Sequence, residues 1–232
     1  MADVIHMNYH LLPVLNRFGI SPGFGDKTIV ALCRTRKINV DFFLAILNTF
    51  HDENYFPEKK MSSFKVDEVI SYLHKTHVYY VREQLSLLNK LVESLIRSSN
   101  QKKISAVLIG KFFGEYTDEL SRHMTDEEYH TFPYALTIAS LHKKKDKAGY
   151  RKIRKTYSMK KFGKEHSDME EKLLDLKNLL LKYLPQPFDT DTCNRIIIEL
   201  ANLERDIRDH SRIEEKILKP IVEKMEKELE GK

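Results

Sequence analysis

Apolar residues recur along this chain at three- and four-residue spacings, the period of helices that bury one face. From residue 63 onward, four long stretches keep that period. The first runs from a Ser62-Ser63 cap to about Ser98 on Val66, Val69, Ile70, Leu73, Val81, Leu85, Leu88, Val92 and Leu95. The second starts near Lys103, follows Ile109, Phe112, Phe113, Tyr116 and Leu120, and should kink or break at Pro133 before His142. The third spans about Gly163–Tyr183 on His166, Met169, Leu173, Leu176 and Leu180, closing at Pro185-Gln186-Pro187. The fourth runs from a cap at Asp189-Thr190-Asp191 to near Glu228, carrying Ile196, Leu200, Leu203, Ile207, Ile217 and Ile221. Short links within each pair predict two helical hairpins, hence an antiparallel four-helix bundle.

The first fifty residues read differently. Shorter helices are expected over Val4–Phe18, interrupted at Pro13, and over Lys27–Arg36 and Asn39–Asn48, with a turn at Ser21-Pro22-Gly23-Phe24-Gly25-Asp26. A charged stretch with Pro57 then reads as a linker. The expected division is a small helical domain over residues 1–55 and a bundle over 64–230. No alternating run competes, so the fold class is all-α.

Composition narrows the class. Eight glycines and no tryptophan argue against a β-rich protein, and no run approaches the roughly 20 apolar residues that span a bilayer. The start, Met1-Ala2-Asp3-Val4, has no basic-then-apolar leader pattern, so a cytoplasmic location is expected. Cys33 and Cys193 have no partner motif, which offers no thiolate metal site. The net charge of +5 is uneven, because residues 143–164 hold eleven Lys and Arg against one acid, Asp146. A solvated connector is the expectation there, contact with nucleic acid is disfavoured, and an acidic protein surface is the alternative.

One phrase occurs twice. His-x-x-x-Glu-Glu-x-x-x-x-Pro runs through His123, Glu127, Glu128 and Pro133, and again through His210, Glu214, Glu215 and Pro220. A histidine and a carboxylate four apart share one face of a helix, and in both copies that face is the apolar one. Buried carboxylates cost much free energy unless a cation neutralises them. The other two long helices each add a histidine near the inner stripe, His74 and His166. Four imidazoles and two bridging carboxylates suit two divalent ions about 3.5–4 Å apart. Such mixed ligation fits iron, manganese or zinc, and iron is the expectation because it supports redox chemistry. His77 is left open between a supporting and a structural role, and Glu165 is a candidate for proton or access work. Glu128 and Glu215 are expected to face outward. A ferritin-like site needs two Glu-x-x-His pairs, and the chain has only Glu127 with His130.

These segments resemble the hemerythrin-like (HHE) superfamily, and within it the di-iron repair-of-iron-centres proteins of the YtfE/ScdA type. The resemblance rests on Tyr72-Leu73-His74, Ser121-Arg122-His123 through Glu128, Glu165-His166, and Asp209-His210 through Glu215. It implies iron ligands at His74, His123, Glu127, His166, His210 and Glu214, with two non-haem irons bridged by carboxylate and oxo groups. Residues 1–55 resemble the ScdA-N-like domain through Arg17-Phe18-Gly19-Ile20 and Gly25-Asp26-Lys27-Thr28-Ile29, but Gly23-Phe24 stands where that family has a Cys-Cys pair. The resemblance implies repair or protection of iron–sulfur proteins under nitrosative or oxidative stress, with nitric oxide bound or reduced at the di-iron centre. Its implied partners are damaged iron–sulfur proteins, nitric oxide or oxygen species, and an electron donor of open identity. A homodimer is left open, as is turnover. The alternative is a di-iron gas or redox sensor acting through a partner protein. A metal-free helical scaffold is the remaining rival.

Overall fold

The structure is a computed structural model that describes residues 1–55, 64–98, 104–155, 159, 166–184 and 187–231, with side chains omitted at 104–106 and 166–168. The predicted cap at Ser62-Ser63, the candidate Glu165, the Pro185-Gln186 stop and part of the basic connector lie outside the described residues, as does the His166 side chain. Among the described residues there is no strand, and no helix is long and apolar enough to cross a membrane. The protein is all-α: a four-helix bundle preceded by a helical N-terminal region.

The N-terminal helices are α1 (Ala2–Met7), α2 (Leu11–Arg17), α3 (Ile29–Arg36) and α4 (Val40–His51). The predicted interruption falls at Asn8 rather than Pro13. Proline sits third in α2, inside the first turn, where a missing N–H costs nothing. Thr28 and Asn39 cap α3 and α4 by accepting backbone N–H groups of the first turn.

The long helices follow as α5 (Val66–Tyr79), α6 (Leu85–Ser98), α7 (Ile104–Asp126), α8 (Phe132–Lys144), the short α9 (Lys147–Ile153), α10 (His166–Tyr183), α11 (Thr190–Ile213) and α12 (Lys219–Glu230). Three π turns join them: Tyr80–Gln84, Glu127–Thr131 and Glu214–Leu218. At Pro133, where a kink or break is expected, the helix is interrupted by a π turn and then continues. Pro133 stands second in α8, directly after a π turn, and Pro220 stands second in α12 after another. Proline lacks the donor for its helical bond and clashes with the carbonyl four residues back, and the wider turn relieves both. A π turn also re-phases the stripe. Tyr80, 1% exposed, continues the face of Val69 and Leu73, and after the turn Leu85, Leu88, Val92 and Leu95 take it over; Val81, expected inside, is 51% exposed.

Contacts divide the chain into two compact units, with cuts inside α5, α11 and the π turn Glu127–Thr131. Unit one comprises residues 1–76, 131–162 and 209–232. Leu11, Val14, Leu15, Phe43 and Ile46 share one apolar core with Val69, Leu73, Ala135, Ile138, Leu218 and Val222. Within it the Phe18 ring meets Phe43 edge-to-face at a centroid distance of 4.8 Å and lies tilted against Tyr72 at 5.1 Å. Unit two comprises residues 77–130 and 163–208, four helical segments around Leu88, Leu95, Phe113, Tyr116, Leu120, Leu173, Leu176, Leu200 and Leu203. There α7 packs on α6 and α10.

One carboxylate in unit one has a consequence for pH. Glu226 is 8% exposed on α12 and accepts a hydrogen bond from the Tyr134 hydroxyl. Burial pushes its carboxyl above the ordinary 4.5, and the tyrosine bond offsets that only in part. Such an acid keeps its proton longer in the native than in the unfolded chain. Stability therefore falls as pH climbs from 4.5 through the raised value. Glu226→Gln is expected to flatten this slope, read from thermal melts on either side of pH 4.5.

Candidate metal centre

In unit two, Glu127 is 2% exposed and stands between two imidazoles. Its Oε1 lies 3.2 Å from His123 Nε2, one helical turn back, and its Oε2 lies 3.2 Å from His77 Nε2. The other nitrogen of His77, Nδ1, lies 2.8 Å from Glu128 Oε1. An ionised carboxylate only accepts, so Nδ1 carries a proton toward Glu128, and Nε2 faces Glu127 either as a second N–H or, with a cation between them, as a lone pair. A lone pair facing a buried carboxylate is tolerated when a cation stands between them or the ring takes a second proton. A histidine held by a carboxylate on its far nitrogen is the arrangement that presents a basic, oriented ligand to a metal.

In unit one, the second copy of the phrase gives the same local geometry. His210 Nε2 lies 3.0 Å from Glu214 Oε1, with side-chain exposures of 6% and 0%. The i,i+4 spacing of α11 sets this contact, and the π turn that opens at Glu214 follows it. Beside the pair, Arg212 Nη1 donates to Asp209 Oδ1 at 3.0 Å and to Thr49 O at 2.9 Å. Its Nη2 donates to Asp52 O at 3.3 Å and Tyr55 O at 3.1 Å, so one guanidinium ties the end of α4 to the turn carrying His210.

The donor chemistry fits a divalent cation. In each unit a buried His/Glu pair, His77 with Glu127 and His210 with Glu214, offers ligand atoms within 4.8 Å of each other. Imidazole and carboxylate suit borderline and harder first-row ions. Cys33 and Cys193 are both buried, and burial raises both thiols, so neither offers a ready thiolate.

The sequence expectation for the first helix needs correction. His74 is exposed, whereas His77 is buried at 4%. The buried face of α5 passes through Val69, Leu73, Thr76 and His77, which leaves His74 about a quarter turn outside it. Glu128 is a second correction. It does not face outward but holds His77, while Glu215 is exposed as expected. The signal was present as a histidine three residues beyond His74 and as the second Glu of the first repeat. The side chains of His123, Glu127, His210 and Glu214 are 12%, 2%, 6% and 0% exposed, and the backbone of His166 opens α10. His130 pairs with Asp126 at the surface, so the lone Glu-x-x-His pair of a ferritin-like reading is not assembled around it.

Comparison with known proteins agrees with this chemistry. The chain is similar to the iron–sulfur cluster repair protein ScdA of Staphylococcus haemolyticus, 19% identical over 196 residues, which span 84% of this chain and 83% of that one. Residues 69–222 match the hemerythrin HHE cation binding domain, a stretch that holds both copies of the repeated phrase. The chain belongs to the hemerythrin HHE cation binding domain family.

Proposed function

We propose that the two His/Glu pairs act together as one di-iron centre, with His77, His123, Glu127, His166, His210 and Glu214 as ligands. His77 takes the place first expected for His74, and Glu127 and Glu214 would supply the carboxylate ligands. The observation that carries this reading is the burial of two carboxylates, each against imidazole, on helices of the same repeated phrase. Iron bound there would supply one-electron redox chemistry and open positions for a diatomic molecule. The protein's own groups do the rest. Glu127 and Glu214 balance positive charge in an apolar interior. Glu128 fixes the proton on His77 Nδ1 and so keeps Nε2 available as a donor.

The function that follows is repair or protection of iron–sulfur proteins under nitrosative or oxidative stress, with nitric oxide bound or reduced at the irons. Similarity to a cluster repair protein and the cation binding family support it. Residues 1–55 would serve as the accessory module and 64–230 as the metal-binding bundle, in the cytoplasm. Gly23 has φ 95, a conformation cysteine rarely adopts, so the loop works without the thiol pair of the ScdA-N-like domain. One observation favours the sensor reading as the second choice. Arg212 joins the end of α4 to the turn between His210 and Glu214, so a change at these ligands has a direct route to the N-terminal helices.

The test loads the protein with iron anaerobically, counts metal per chain, and follows nitric oxide and the recovery of a damaged cluster enzyme. About two irons with net consumption or recovery supports repair; a stable adduct with altered proteolysis near α4 supports sensing. Iron far below one per chain, unchanged by His123→Ala, leaves the scaffold reading alone. Glu128→Ala is expected to weaken metal binding by roughly 10–100-fold, measured by competition with a chelator.

A further inference from the structure

Unit one holds a cavity of about 360 Å³ whose walls come from α2, α3, α4 and α5. We propose that it binds a small organic oxyanion, a phosphate monoester or carboxylate carried on a flat apolar body. Its size falls in the range of small-molecule sites, roughly 300–1,000 Å³. Arg17, Arg36, Lys37 and Lys75 line it against Asp67 and Glu68, and four cations less two acids leaves two positive charges.

The acids are already engaged. Glu68 accepts from Asn39 Nδ2 at 3.3 Å and lies 3.9 Å from Lys65 Nζ, and Asp67 Oδ1 accepts the Glu68 backbone N–H at 3.0 Å. Among the described residues, no acid lies within ion-pair distance of Arg36, Lys37 or Lys75, and all three are exposed. Arg17 differs from them. It is 4% exposed, donates to the Tyr72 hydroxyl at 3.3 Å and lies 5.8 Å above the Phe50 ring, so its guanidinium is fixed in advance. A planar fork held in place suits an oxyanion better than a spherical halide. Phe18, Phe42 and Tyr72 supply aromatic wall, the Phe18 and Tyr72 rings tilted by 32°, which gives an apolar body somewhere to lie. Inorganic phosphate would use the cations but leave that wall unpaired.

The experiment titrates the full-length, metal-loaded protein with phenyl phosphate, benzoate and inorganic phosphate, followed by calorimetry and aromatic NMR signals. Phenyl phosphate or benzoate is expected to saturate one site per chain, at least tenfold tighter than inorganic phosphate. The stronger of the two distinguishes phosphate from carboxylate recognition. Arg36→Glu with Lys75→Glu is expected to weaken that binding at least tenfold at unchanged iron content. Arg36→Gln with Lys75→Gln is the second variant, adding no new acid should the first disturb folding. No saturation, equal affinity for inorganic phosphate, or binding untouched by both variants would overturn the proposal; the last is also the result expected if the anions bind the metal.

Discussion

Metal-loaded and metal-free protein are expected to melt on the order of 10 °C apart, and Glu127→Ala with Glu214→Ala is expected to close that gap. A ligand bound only by the native state, present at a thousand times its dissociation constant, stabilises by about 4 kcal/mol. For a chain of this size each kcal/mol moves the midpoint by about 2–4 °C. The two glutamates are the groups on which this difference depends, since they are 2% and 0% exposed and bring negative charge into apolar surroundings. Without metal that charge is a liability, so the metal-free double variant should melt no lower than metal-free wild type. Calorimetry with and without a chelator reads both effects. Coincident melts of loaded and stripped wild type would sink the metal centre; a gap that persists in the variant would place the ligands elsewhere.

Phe43→Ala is expected to destabilise unit one by about 3–5 kcal/mol, the range for removing a buried aromatic ring. Phe43 is 0% exposed and packs 4.8 Å from Phe18, which lies 5.1 Å from Tyr72 on α5. The N-terminal helices thus share their core with segments of α5, α8 and α12. The loss should appear in hydrogen exchange as reduced protection in α8 and α12 as well as in α2–α4. Reduced protection confined to residues 1–55 would show instead that these helices are stabilised as a separate body.

The four long helices were legible because their stripes are long. Leu88, Leu120, Leu173 and Leu203 recur at helical period over many turns, and all are buried. The repeated His/Glu phrase was legible for a related reason, since i,i+4 geometry is local to one helix. Which histidine of α5 turns inward was only partly legible. His74 and His77 differ by under one turn; the phase of Val69, Leu73 and Thr76 favours His77, and the carboxylate that holds it, Glu128, lies far along the chain. The π turns were hidden as well. A residue gained within a helix leaves no composition mark: before the turn the buried face runs through Val69, Leu73, Thr76 and Tyr80, which leaves Val81 outside, and after it Leu85, Leu88, Val92 and Leu95 take over. Pro133 read as a breaker because its effect on an ordinary α-helix is to break it; the wider turn before it changes that outcome.

Each of Glu127 and Glu214 is the first residue of a turn with one residue too many. Such a winding defect can be handed along a helix by exchanging single hydrogen bonds, advancing the backbone by about 1.5 Å per step while neighbouring turns stay put. A carboxylate mounted there has slack: its reach can change by such a step without rewinding the turns on either side.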